Sequence, residues 1–141
     1  EDVTYVIGPG TTTSEIMKLL GLDFSLVGVD LVRNKELVGR DLSEQELLAL
    51  LGSGPGTIIV TPVGGQGYLF GRGNQPISAS VIRQVGKGRI IIAATPNKLS
   101  SLRGEPLRVD SGDGDTDRWL AGFYRVVSGY RDRSVYRVVA A

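Results

Sequence analysis

In this sequence short β-branched runs stop at glycine-bearing loops, and helical patterns restart beyond them. Thr4-Tyr5-Val6-Ile7 ends at Gly8-Pro9-Gly10, and Ile16, Leu19 and Leu20 then share one helical face before Gly21. Thr57-Ile58-Ile59-Val60 runs into a glycine-rich stretch over 61–75, after which Ile77, Val81, Ile82 and Val85 fall on a helical face. The run Arg89-Ile90-Ile91-Ile92-Ala93-Ala94 predicts a further strand. Parallel neighbours in a sheet need crossover connections, usually helical, so this alternation points to one architecture. The expected class is α/β, a single domain with a largely parallel or mixed sheet flanked by helices.

The remaining elements are read in the same way. Residues 25–32 are apolar on both sides of Asp30 and predict a strand covered on both faces. Thr12 with Glu15, and Ser43 with Glu46, have the spacing of capping boxes; Leu47, Leu48, Leu50 and Leu51 supply the apolar stripe of the second helix. Gly67 to Gly71 suits either a helical turn or a bent loop. Leu107-Arg108-Val109 predicts a short edge strand. Leu120, Phe123, Tyr124 and Val127 recur at helical spacing, so a helix is expected to end near Gly129, with Trp119, Phe123 and Tyr124 as core or interface residues. Val135 to Val139 predicts the last strand.

Composition narrows the chemistry. The 141 residues match one domain at the usual ~150 residues each. Sixteen basic against fifteen acidic side chains leave +1, too little for a dedicated nucleic-acid binder. Without Cys or His there is no disulfide, thiolate nucleophile, usual zinc site or His-based triad. No run approaches the ~18 apolar residues of a membrane span, so no membrane contact and a cytoplasmic setting are expected.

Ligands of open α/β sheets sit beyond the carboxyl ends of the strands. Three loops follow strands here: Gly8-Pro9-Gly10-Thr11-Thr12-Thr13, Thr61-Pro62-Val63-Gly64-Gly65-Gln66-Gly67 and Thr95-Pro96-Asn97-Lys98. In the first, Gly8, Gly10, Thr11 and Thr12 open a helix whose free amides suit a phosphate; a tight turn with a cap accounts for the same residues. In the second, Gly64, Gly65 and Gly67 permit close approach, and Gln66, Arg72, Asn74 and Gln75 offer donors for amide, ribose and phosphate groups. Asp113, Asp115 and Asp117 begin like a calcium loop, but Arg118 and Tyr124 stand where that loop requires Gly and Glu. An acidic first turn of the next helix is the preferred reading, and no metal site is expected.

Thr61-Pro62-Val63-Gly64-Gly65-Gln66-Gly67-Tyr68 has the spacing T-P-x-G-x-x-x-Y, followed by Pro96, Leu99-Ser100 and Arg103-Gly104-Glu105-Pro106-Leu107. This resembles the C-terminal part of the ATP-NAD kinase-like family, closest to its acetoin-catabolism branch of the AcoX type. The resemblance implies a phosphotransferase using ATP, a divalent metal such as Mg and a nucleotide acceptor such as NAD. It gives Thr61, Gly64 and Tyr68 a nucleotide-binding role, with Gly65 and Gln66 between them. The family's Gly-Gly-Asp-Gly segment, which supplies its catalytic aspartate, is not among these residues. The expectation is therefore a nucleotide-binding C-terminal domain, inactive alone, whose partners are an N-terminal kinase domain of the same protein, a phosphorylated small molecule and further copies of itself. Two other readings stay open: an assembly module without a ligand, and a sugar-phosphate-binding, isomerase-like domain.

Overall fold

The computed structural model describes residues 2–22, 28–129 and 132–141. Its strands form one nine-stranded sheet in the order β3-β2-β1-β4-β6-β8-β9-β7-β5. β1 (Thr4–Ile7), β4 (Gly56–Val60), β6 (Ile90–Ala93) and β8 (Gly122–Gly129) are successive parallel neighbours. β2 (Asp30–Arg33) and β3 (Glu36–Gly39) add an antiparallel edge. β9 (Asp132–Ala140) pairs antiparallel with β8 and parallel with β7 (Leu107–Val109), which in turn pairs with β5 (Tyr68–Phe70). The sheet is mixed, and the α/β class holds.

Alternation of side chains divides the sheet into two faces. Val6, Ile58, Val60, Ile92, Val126 and Val138 enter the main core, where Leu47 and Leu51 of α2 (Glu44–Leu51), Val81 and Ile82 of α3 (Ala79–Val85), Leu99 of α4 (Pro96–Ser101) and Leu120 of α5 (Gly114–Leu120) join them. On the opposite face Ile7 and Val32 meet Met17 of α1 (Thr11–Leu19) in a second, smaller cluster. Leu31 of β2 and Phe70 of β5, near opposite ends of the strand order, lie in the same main cluster, so the sheet bends around that core.

Several elements differ from the sequence reading. The expected helix through Phe123, Tyr124 and Val127 ends at Leu120; those residues lie on β8, where Val126 points inward and Phe123 is 74% exposed. A long antiparallel partner, β9, satisfies the β8 backbone and decides between two periodicities that the apolar residues fit almost equally. The expected edge strand β7 is interior, flanked by β9 and β5, and Leu107 and Val109 are buried. The segment left open between helical turn and loop forms β5, the true edge.

Of the strand expected over 25–32, residues 25–27 lie outside the described part; strand pairing starts at Asp30 and turns back through Asn34 and Lys35, both at positive φ, into the unanticipated β3. The Ser43–Glu46 capping box is present, with Leu47 and Leu51 buried and Leu50 exposed. At α1 no such box forms. Gly10 is the N-cap and no side chain caps the helix, so Thr12 already lies inside the first turn.

Candidate functional site

The three glycine- and threonine-bearing loops meet at one rim. β1, β4 and β6 are in register at their carboxyl ends, with Ile7 opposite Ile59 and Val60 opposite Ile92, so the chain leaves all three at the same level. The Gly8 amide donates to the Ile59 carbonyl (2.9 Å), holding the first loop against β4. A cleft of about 360 Å³ opens there, lined by Gly10, Thr12, Thr61, Pro62, Val63, Gly64, Thr95 and Lys98.

Two contacts shape this cleft. Gly10 has φ 140° and ψ 164°, a backbone region essentially closed to other residues, and a Cβ there would lie 2.4 Å from the Thr61 Cγ2 methyl. Thr61 is 6% exposed, its hydroxyl makes no hydrogen bond among the described residues, and no fully buried side-chain oxygen lacks a partner. The Thr61 hydroxyl therefore keeps some exposure, and Thr61 lines the cleft. Lys98 reaches across from α4 and donates from Nζ to the Gly64 carbonyl (2.6 Å), which leaves two N–H donors and a full positive charge at the mouth. Thr95 caps α4 by accepting from the Lys98 amide (3.1 Å).

The cleft continues into a larger one of about 650 Å³ that shares Thr12 and Thr95. It is lined by Ala93 and Ala94 at the end of β6, Val127 from β8, and Ile16 and the exposed Leu19 of α1, together with Glu15, Ser128 and Arg133. The combined groove has a cationic, amide-rich end and an apolar trough.

The structure does not bring every candidate residue to this groove. Gly10, Thr12, Thr61 and Gly64 line it; Gly8 lies beneath, where an added Cβ would come within 3.3 Å of Val60. Thr11 opens α1, and Gly65 and Gln66 are exposed at the tip of their loop. Tyr68, Arg72 and Asn74 form a separate cluster. Arg72 stacks over the Tyr68 ring (4.0 Å to the centroid), donates to the Gly71 carbonyl (3.1 Å) and lies 3.7 Å from Asp110. Asn74 is buried, accepting from the Gly71 amide (3.1 Å) and donating to the Leu69 carbonyl (2.7 Å), so both ends of its amide hold its own loop. Thr95 and Lys98 belong to a loop noted in the sequence. Ile16, Leu19, Val127 and Arg133 carried no sequence signal for a site, because only the fold places them beside one another.

The acidic stretch has structural work. Asp113 is the N-cap of α5 and accepts from both the Thr116 amide (3.3 Å) and hydroxyl (2.6 Å); the hydroxyl bond above all holds its carboxyl below the ordinary value. Asp117 accepts from the Ser111 amide (2.9 Å), and Asp115 pairs with Arg118. Among the described residues no group of three or more acidic side chains is placed to hold a metal ion. No helix among them is long and apolar enough to cross a membrane.

A family model described as ATP-NAD kinase C-terminal domain matches residues 1–138. No curated protein and no solved structure matches the chain.

Proposed function

The chain belongs to the ATP-NAD kinase C-terminal domain family, and from that premise we propose that its groove binds a nucleotide or dinucleotide as one half of an ATP-dependent phosphotransferase. The carrying observation is the convergence of three loops from β1, β4 and β6 on one cleft, lined by Thr61, whose hydroxyl has no partner among the described residues, and by the charged Lys98. A phosphate fits the cationic end, where amides of the glycine loop and the uncapped start of α1 add donors. A base or nicotinamide ring fits the trough over Ile16, Ala93 and Val127.

The domain alone is proposed to be inactive. It lacks the Gly-Gly-Asp-Gly segment of the family, and no described carboxylate cluster stands in for the catalytic acid and metal site. Those would come from another domain of the same cytoplasmic protein, in an architecture like that of the acetoin-catabolism branch.

Calorimetric titration with NAD, NADP and ATP tests the reading. Binding should weaken by about 1–3 kcal/mol in Lys98→Met and in Thr61→Val, each of which removes a donor to the phosphate end. Absence of heat with all three nucleotides would refute it, and ribose 5-phosphate binding as tightly as NAD would assign the groove to sugar phosphates instead.

A further inference from the structure

We propose that the sheet face opposite the main core, across β6, β8 and β9, is a docking surface for an acidic amphipathic segment of a partner protein. Sheets with parallel strands are normally covered on both faces. Here the main-core face carries α2 to α5, whereas the opposite face carries α1 alone among the described helices, packed over β1 and β2 through Met17, Ile7 and Val32. Beyond the groove that α1 lines together with Ala93 and Val127, no described helix covers that face. Phe123 is 74% exposed, Val135 65% and Ile91 39%.

Register turns these residues into a pattern. Phe123 lies opposite Arg137 and Arg125 opposite Val135, so apolar and cationic side chains alternate over the β8–β9 ribbon, and the next pair, Val127 and Arg133, belongs to the groove. Ile91 extends the apolar positions on β6, one residue before the pairing of Ile92 with Val126. None of the described outward-facing residues of β6, β8 and β9 is acidic, and neither Arg125 nor Arg137 has an ion-pair partner among the described residues. This charge pattern selects the occupant. An element with an apolar stripe flanked by Glu or Asp would cover Phe123, Val135 and Ile91 and meet the guanidinium groups on both sides.

Two other occupants fit less well. A second copy of the chain docked by a two-fold axis would gather Arg125 and Arg137 of both copies in one interface with no described carboxylate of this face among them. A single-stranded nucleic acid needs several stacking platforms, and this face offers one ring among aliphatic side chains.

The test is fluorescence anisotropy with three labelled probes: a synthetic helical peptide with a leucine stripe flanked by glutamates, the same peptide with lysines for glutamates, and an oligothymidylate. The acidic peptide should bind, more weakly as salt rises, and lose affinity by about tenfold or more in Arg125→Glu/Arg137→Glu and in Phe123→Ser/Val135→Thr. The milder Arg125→Gln/Arg137→Gln pair, checked by circular dichroism, separates loss of charge from loss of fold. Equal or tighter binding of the lysine peptide or the oligothymidylate would overturn the proposal. So would an acidic peptide that does not bind, or binds all variants alike, or sedimentation showing a dimer that these substitutions dissolve.

Discussion

Gly10→Ala is the sharpest perturbation of the groove, because two separate penalties can be read from its geometry. At φ 140° and ψ 164° an alanine is forced into a region that costs about 1–3 kcal/mol. Its Cβ would also stand 2.4 Å from the Thr61 Cγ2 methyl, an overpacking worth about 1–3 kcal/mol more. Together they reach about 2–6 kcal/mol, a large part of the ~5–15 kcal/mol that holds a domain together. The two parts can be separated. Thr61→Ser removes the clashing methyl and leaves the backbone strain, so in urea denaturation the double variant should be about 1–3 kcal/mol more stable than the sum of the single effects. A Gly10→Ala cost below about 1 kcal/mol, or strict additivity with Thr61→Ser, would refute the claim that Gly10 is held between strain and the Thr61 methyl.

Three further outcomes are expected. Asn74→Ala should cost about 2–4 kcal/mol in urea denaturation, since it leaves the buried Leu69 carbonyl and the part-buried Gly71 amide without their partner; a cost below about 1 kcal/mol would contradict that role. Ser43→Ala should remove the capping box of α2 and lower stability by about 1 kcal/mol, measured in the same way. Asp113 is held below its ordinary value by the Thr116 hydroxyl, so its contribution is complete above the carboxyl's unfolded-state value and fades as pH falls through the lower folded value. Amide exchange in α5 should accelerate over that acidic range, and Asp113→Asn, which still caps the helix, should flatten the dependence.

What the sequence made legible was local. The strands β1, β4 and β6 are apolar runs ended by glycine or proline, and their parallel order sends the following loops to one rim, which is why the convergence of the Gly10, Gly64 and Thr95 loops could be expected. What escaped depends on distant partners. Lys98 meets Gly64 across 34 residues, and the trough unites α1 with β6 and β8. Phe123, Tyr124 and Val127 satisfy helical spacing as well as strand spacing, and only the backbone of β9 decides between them. The turn into β3 falls on Asn34 and Lys35, with no glycine to announce it. Tyr68, Arg72 and Asn74 look like ligand donors by type, yet burial and hydrogen bonding show Asn74 holding its own loop and Arg72 lying on Tyr68.

The place of β9 in the strand order governs how the chain can assemble. β5 and β7 are joined to the rest of the sheet through β9 alone, although β5 starts at Tyr68 and β9 only at Asp132. On a ribosome, the two early strands must wait with open edges until the last one emerges, a vulnerable interval for aggregation. Clipping a few residues from the final strand should therefore detach a whole flank of the molecule rather than fray one end.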